Sequence, residues 1–254
     1  LIPSYKLAIE YNGLYWHTEK YGKDKNYHLN KLKKCNEMGI SLIQIFEDEY
    51  ENNKKIVFSK LRHLLHKEDA ICKIGARKCN IQELNFQEAS SFLNENHIQG
   101  YSVATVYLGA IYKETLVGVM SFLKMNEDEW VLERFATLNG YICQGLGGKL
   151  FSYFKKHYTF KIIKSFADRR WTLNGYENFY TKLGFNLKEI LPPQYRYYNA
   201  KVDKLKRFHK FGFRKQIIHK KYGFPLTMTE LEMTRELGYD KIWDCGLFKY
   251  VYEA

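Results

Sequence analysis

Proline is scarce in this chain, with four residues in 254, and that leaves no proline-rich spacer to hold two halves apart. No apolar run approaches the ~18 residues of a membrane helix and no signal peptide is visible, so no membrane partner is expected. The five cysteines, Cys35, Cys72, Cys79, Cys143 and Cys245, are odd in number and form no Cys-x-x-Cys pair. Neither a disulfide framework nor a structural zinc site is indicated, and a reducing interior suits them. Acids also run short, 28 against 40 Lys and Arg, for a formal net charge of +12. That excess goes beyond what solubility needs and points to a polyanionic partner, nucleic acid ahead of an anionic membrane surface. No internal repeat or low-complexity segment is present.

What the chain does have is apolar content, 45% of residues, enough for one large or two ordinary folded domains. Its most informative stretch is Tyr5 to His17, where an apolar strand runs into Glu10, Asn12, Gly13 and the pair Trp16-His17. A buried strand there delivers a carboxylate and an imidazole to one edge. Phosphodiester hydrolysis needs a hard cation held by carboxylates and a group that moves a proton. Glu10 suits the first task and His17 the second. Equally, Glu10 is a strand-end acid, Trp16 a core residue and His17 a solvated loop residue.

Downstream, Lys25 to Gly39 has a helical pattern with Leu29 and Leu32 on one side and Gly39 as its stop, and Ile40 to Phe46 reads as a second strand ending in Glu47-Asp48-Glu49. A closing helix follows from Asn52 to Lys67. This order of strand, Gly-x-x-Trp-His, basic helix and acid-tipped strand resembles the very-short-patch-repair (Vsr)-like branch of the PD-(D/E)XK nucleases. With the segment that follows, the chain is similar to Vsr-like homing endonucleases of phages. The resemblance implies Glu10 as the second acid of the motif on Mg2+ or Mn2+, and His17 as proton carrier. Asn12 stands where the pattern has Lys and, with His28, supports the site by hydrogen bonding. Trp16 is implied as a wedge between bases and Lys31 as a DNA contact. The family's first metal-binding Asp would precede Leu1, outside this sequence.

A division is expected near residues 68 to 74. Beyond it come a strand to about Ile81, a helix Phe86 to Asn96, strands Val106 to Tyr112, Thr115 to Leu123 and Trp130 to Thr137, then a helix Gly145 to His157. A strand Lys161 to Ala167, a helix Tyr176 to Leu183 and strands after Gly184 complete a mixed α/β plan. Gly145-Leu146-Gly147-Gly148-Lys149-Leu150 and Phe179-Tyr180-Thr181-Lys182-Leu183-Gly184-Phe185 give residues 75 to about 200 a resemblance to the GNAT acetyltransferase superfamily. There the Gly-rich turn holds the pyrophosphate of acetyl-CoA at a helix N-terminus, and Tyr180 matches the common general-acid Tyr. Cys143 to Gly148 departs from the usual Arg/Gln-x-x-Gly-x-Gly/Ala spacing, so acetyl-CoA is not expected as a cofactor. The fold could equally serve as a DNA-binding platform.

Asp168-Arg169-Arg170-Trp171 ends a strand with an acid, two guanidinium groups and an indole. It is read either as a phosphate and base contact or as a local ion pair with Trp171 in the core. His97 reads as a helix-end residue. From Lys201 to Lys221 nine basic residues face one acid, interleaved with Phe208, Phe211 and Phe213. Lys204, Lys206, Arg207, Lys210, Arg214 and Lys215 are candidate DNA contacts. Thr227 and Glu230 are placed for a capping box on a helix Met228 to Leu237, followed by a strand pair Lys241 to Tyr252.

The expectation is therefore a mixed α/β protein. A Vsr-like core occupies residues 1–70, a GNAT-like domain 71–200 and a basic segment 201–254. Its expected activity is site-specific, metal-dependent hydrolysis of double-stranded DNA in the cytoplasm of a bacterial or phage-infected cell. Monomer and homodimer are both open. The alternatives are a GNAT-type acetyltransferase with a nucleic-acid-associated substrate and a non-catalytic DNA-binding protein.

Overall fold

The computed structural model describes residues 1–66, 72–172 and 177–254. In chain order its elements are β1 (Leu7–Asn12), α1 (Tyr27–Glu37), β2 (Ser41–Phe46), α2 (Glu47–Asn52), α3 (Lys54–Leu64), β3 (Cys72–Gly75), β4 (Asn80–Glu83), α4 (Phe86–Asn96), β5 (Val106–Tyr112), β6 (Thr115–Lys124), β7 (Glu129–Thr137) and β8 (Tyr141–Gln144). They continue with α5 (Leu146–His157), β9 (Ile162–Asp168), α6 (Phe179–Lys182), β10 (Asn186–Leu191), β11 (Tyr195–Tyr198), β12 (Phe208–His209), α7 (Lys215–Tyr222), α8 (Glu230–Glu236), β13 (Asp240–Trp243) and β14 (Leu247–Glu253). The plan is mixed α/β, as the sequence pattern indicates.

Two compact units share these elements. Unit one comprises Leu1–Asn52, Asp168–Leu173 and Leu191–Leu247; unit two comprises Asn53–Ala167, Asn174–Ile190 and Phe248–Ala254. This division is interleaved and does not follow three consecutive segments. Helix α3 goes with unit two, and residues 201–254 are divided between the units. The expected boundary at 68–74 and the expected helix start at Tyr176 fall partly or wholly outside the described residues.

Unit two is built on a seven-stranded sheet in the order β10-β14-β9-β7-β6-β5-β4. Strands β4 to β7 pair antiparallel with their sequence neighbours, whereas β7 and β9 pair parallel. Alternation along the strands sends side chains to two cores. Leu108, Met120, Phe122 and Leu132 pack with Leu150, Phe151 and Phe154 of α5. Tyr107, Val119 and Ala136 pack with Ala89, Phe92 and Leu93 of α4. The spacing of Leu146, Leu150, Phe151 and Phe154 makes one apolar stripe, and all four are buried. Phe122 and Phe154 stack at 3.7 Å between ring centroids, each such side chain contributing about 1.5–3 kcal/mol through burial. Helix α4 starts on a full capping box of Asn85 and Glu88. A separate parallel pair, β3–β8, was not anticipated: the expected strand to Ile81 is two strands broken by a 3-10 turn at Ala76–Lys78.

In unit one, β1 and β2 pair parallel across the α1 crossover, with Glu10 opposite Gln44 and Asn12 opposite Phe46. A second sheet runs β12-β11-β13. The expected terminal strand pair is thus split, because β13 joins this sheet and β14 the seven-stranded one. The capping box on α8 is Thr229 with Glu232, not Thr227 with Glu230. Both pairs have the same spacing, but Met228 N–H bonds back to Pro225 and commits Thr227 to a turn.

Unit one is organised by a buried ion cluster. Arg170 grips Glu49 with two 2.8 Å contacts and Asp168 at 2.5 Å, while Arg207 holds Asp48 at 2.9 Å and Glu49 at 3.0 Å. Both guanidinium groups lie over the Phe46 ring, at 4.9 and 3.8 Å. Burial works to raise the Glu49 carboxyl, but Arg170 and Arg207 win and hold it at about 2. Since this lies below the 4.5 of a free carboxyl, Glu49 stabilises unit one fully above about pH 4.5 and the contribution is lost as pH falls towards about 2. Removing one partner of such a pair costs about 3–5 kcal/mol. Urea denaturation of Arg170→Ala is expected to show a loss of that size at pH 7 and a smaller one at pH 3. Equal stability of variant and parent at pH 7 would contradict this role.

Candidate functional site

The site in unit two begins with one extra residue. Along β6–β7, Ser121 pairs with Arg134 and Phe122 with Leu132, which leaves Glu133 bulged out of register. On the other side of β7 the parallel ladder to β9 runs from Glu129–Ile162 to Leu132–Ser165 and stops at the same place. Strand β7 continues to Thr137 and β9 past Phe166 and Ala167. Their facing backbone groups beyond the bulge are therefore outside that ladder.

Charged groups gather at this opening. Arg134 donates to the carbonyls of Gly100 at 3.2 Å and Glu133 at 2.7 Å, and Glu133 accepts from Ser102 Oγ at 2.9 Å. Burial lowers the Arg134 guanidinium, with Glu133 and Tyr180 opposing. His97 is lowered to about 3 by burial and by the positive charges of Arg134 and Lys60, so its imidazole is neutral near pH 7. Ser121 Oγ, opposite Arg134, is buried with no hydrogen-bond partner among the described residues.

Helix α6 is fastened beside the opening. Asn178 caps it and donates to Tyr250 Oη at 2.6 Å, and Tyr180 stacks on Tyr250 at 4.8 Å. Phe179 stacks on Phe135 of β7 at 4.8 Å and 6°. Gly147 permits that stack, because a Cβ there would sit 2.5 Å from the Phe179 ring. Gly145, at φ +78°, turns the chain into α5, and a Cβ on Gly148 would meet nothing within 4 Å. A strand stretch beyond the end of the β7–β9 ladder, a glycine turn at a helix N-terminus and a hydroxyl-bearing Tyr together fit a thioester cofactor with a phosphate tail. The Gly-rich turn and Tyr180 were legible in the sequence. Glu133, Arg134, Ser102 and Asn178 were missed; the one signal for them is the Glu133-Arg134 pair interrupting an apolar strand.

In unit one the structure does bring Glu10, Asn12, His17 and His28 together. Gln44 Nε2 donates to the His28 carbonyl at 2.9 Å, so Gln44 Oε1 faces His28 Nδ1 at 2.9 Å and makes that nitrogen the N–H. His28 Nε2 then accepts from His17 Nδ1 at 3.4 Å, and the lone pair of His17 is left on Nε2. Burial, then the charge of His17, lowers His28 to about 3. Burial also lowers His17, with Lys31 and Lys23 adding and Glu10 opposing. Glu10 Oε1 is taken by the Lys31 ammonium, while Glu10 Oε2 and Asn12 Oδ1 are buried without partners among the described residues. Among the described residues no group of three or more His, Cys, Asp or Glu is placed to hold a metal ion.

Other nominated residues divide by exposure. Trp16 is 63% exposed, and Lys204, Lys206 and Arg214 are exposed. Lys210 and Lys215 are half-buried, Lys210 holding Gln194 Oε1. Arg170 and Arg207 are corrections: both guanidinium groups are buried in ion pairs and present nothing to a DNA backbone. Arg169 is half-buried and donates to the Cys245 carbonyl at 3.2 Å, and Trp171 is half-buried.

No family model and no curated protein matches the chain. Solved structures do. A GNAT family acetyltransferase from Elizabethkingia anophelis with acetyl-CoA bound is 14% identical, over 70% of this chain and 99% of that one, at a TM-score of 0.40. A Bacillus subtilis acetyltransferase in complex with CoA is 14% identical over the same shares, at 0.39. An acetyltransferase from Streptococcus agalactiae is 16% identical, again over 70% and 99%, at 0.37. These three are acetyltransferases. Likeness this distant carries no argument about activity.

The comparisons correct the nuclease expectation: these neighbours are transferases and not phosphodiester hydrolases. The Vsr-like PD-(D/E)XK resemblance, the homing endonuclease activity and Glu10 as a Mg2+ or Mn2+ ligand are withdrawn. The physical reason is local, since the Lys31 ammonium occupies Glu10 Oε1. The expectation against acetyl-CoA is likewise withdrawn: two of the matched structures are described with acetyl-CoA or CoA bound. No helix among the described residues is long and apolar enough to cross a membrane.

Proposed function

We propose that unit two is a GNAT-type acetyltransferase that moves an acetyl group from acetyl-CoA to an amine. The observation that supports this most is the common end point of two ladders: the Glu133 bulge in β7 coincides with the stop of β7–β9 pairing at Leu132–Ser165. The backbone of Glu133 to Thr137 would hold the pantetheine amides by strand-like hydrogen bonds, and the turn Gly145 to Gly148 would take the pyrophosphate. The cofactor, when bound, supplies an activated thioester. Glu133, whose carboxylate accepts from Ser102, would take a proton from the incoming ammonium, and Tyr180, which lies within electrostatic reach of Arg134, would give its hydroxyl proton to the departing thiolate.

Radiolabelled acetyl-CoA offered with small amines and peptide N-termini tests this. The Tyr180→Phe variant is expected to lose kcat by about a hundred-fold while KM for acetyl-CoA stays within about two-fold. Absence of transfer by the parent chain, or a Tyr180→Phe enzyme of full kcat, would overturn the reading.

A second reading concerns unit one alone, where a nucleic acid partner is favoured by an exposed aromatic cluster set among lysines. Tyr15, Trp16 and Tyr21 meet at 4.9–5.0 Å between centroids. Lys20 lies over Tyr21, Lys23 and Lys31 over Tyr27, and Lys25 and Lys241 over Trp243. Flat rings offer stacking faces to bases and the ammonium groups meet phosphates. Double-stranded DNA is the partner proposed, which makes the whole chain an acetyltransferase with a nucleic-acid-associated substrate. Trp16→Ala is expected to weaken duplex binding about ten-fold in a fluorescence titration; unchanged affinity would remove the cluster from the interface.

A further inference from the structure

The glycine turn of unit two has a neighbour that the seven-stranded sheet does not require. Strand β3 pairs parallel with β8 from Cys72–Tyr141 to Gly75–Gln144, so the ladder ends at the residue before Gly145. The 3-10 turn Ala76–Lys78 follows at once. It is fastened from below by Lys149 in the first turns of α5, whose ammonium donates to the carbonyl oxygens of Ala76 at 3.0 Å, Arg77 at 3.4 Å and Cys79. The Ala76 methyl lies 3.8 Å from where a Cβ on Gly145 would be.

This arrangement has an electrostatic consequence. Lys149 is the cation closest in sequence to the glycine turn, and its donors are spent on carbonyl groups. A helix N-terminus alone offers about half a positive charge, against the several negative charges of a nucleotide-bearing cofactor. Arg77 and Lys78 are exposed, and neither side chain makes a hydrogen bond, ion pair or ring contact among the described residues. The nearby acid Glu83 is engaged with the Tyr158 hydroxyl. Two uncommitted cations are therefore carried on a pinned turn beside the place where phosphates would sit.

We propose that Arg77 and Lys78 form a cationic arm that binds the phosphates of the acyl-CoA nucleotide and so sets a preference for the full coenzyme over shorter thioesters. The proposal rests on the acetyltransferase reading of unit two. Arginine contributes a planar fork for phosphate oxygens and lysine a mobile point charge. Both act on cofactor affinity and leave the acetyl end untouched.

Calorimetric titration of the full chain with acetyl-CoA and with S-acetylpantetheine, which lacks phosphate, separates the possibilities. The Arg77→Ala/Lys78→Ala variant is expected to bind acetyl-CoA about ten-fold or more weakly, a loss typical of a removed charge-assisted contact. Its affinity for S-acetylpantetheine, its kcat at saturating acetyl-CoA and its melting temperature should match the parent. An acetyl-CoA affinity within about two-fold of the parent, or an equal loss for both thioesters, would overturn the arm while leaving the acetyltransferase reading in place. A parent chain that binds neither thioester would instead overturn that reading, and the arm with it.

Discussion

A single inserted residue, Glu133, is the constraint on which the site in unit two depends. It takes β7 out of register with β6 at the point where β7 also leaves β9. Backbone groups that lie outside the β7–β9 ladder need other partners, and a ligand with amide groups can supply them. The surroundings hold the opening in shape from both sides. Helix α5 is anchored by Leu150, Phe151 and Phe154, and α6 by the Phe135–Phe179 stack that Gly147 admits. A site framed by buried aromatic packing keeps its geometry without the ligand, which is the condition for binding with little ordering cost.

Unit one follows a different logic, in which charges are buried to fix loops. Asp48 and Glu49 follow β2 directly and bind Arg170 and Arg207, residues more than a hundred positions away in sequence. In the sequence Arg207 reads as a phosphate contact, and Arg170 either as one or as a local ion pair with Asp168, the pair that the structure forms. Their distant partners stand in an acidic tip, and nothing local in the chain announces that pairing. A polar chain of Gln44, His28 and His17 likewise uses buried donors and acceptors to set one imidazole tautomer.

Much of the architecture was legible because it rests on local periodicity. Helices α4 and α5 and strands β5 to β7 lie within a residue or two of their expected ends, carried by apolar spacing. What escaped depends on distant pairing. Strand β8 forms only because β3 lies beside it, and β14 joins a sheet whose other strands come before residue 192. The Gly145 turn and Tyr180 were visible as motifs, whereas the Glu133 bulge requires knowing what β6 and β9 do opposite it. The nuclease expectation grew from Glu10, Asn12, His17 and His28, which do meet in space. Their proximity was readable, but the Lys31 ammonium on Glu10 depends on the pitch of α1 against β1 and was not.

Amide hydrogen exchange of the full chain with and without acetyl-CoA reads whether an acyl-CoA occupies the opening between β7 and β9, as proposed. Slowed exchange is expected, confined to residues 133–137, 145–148 and 166–167, with the backbone of unit one unaffected. Unchanged exchange at those three segments under saturating acetyl-CoA, or protection appearing only in unit one, would contradict it.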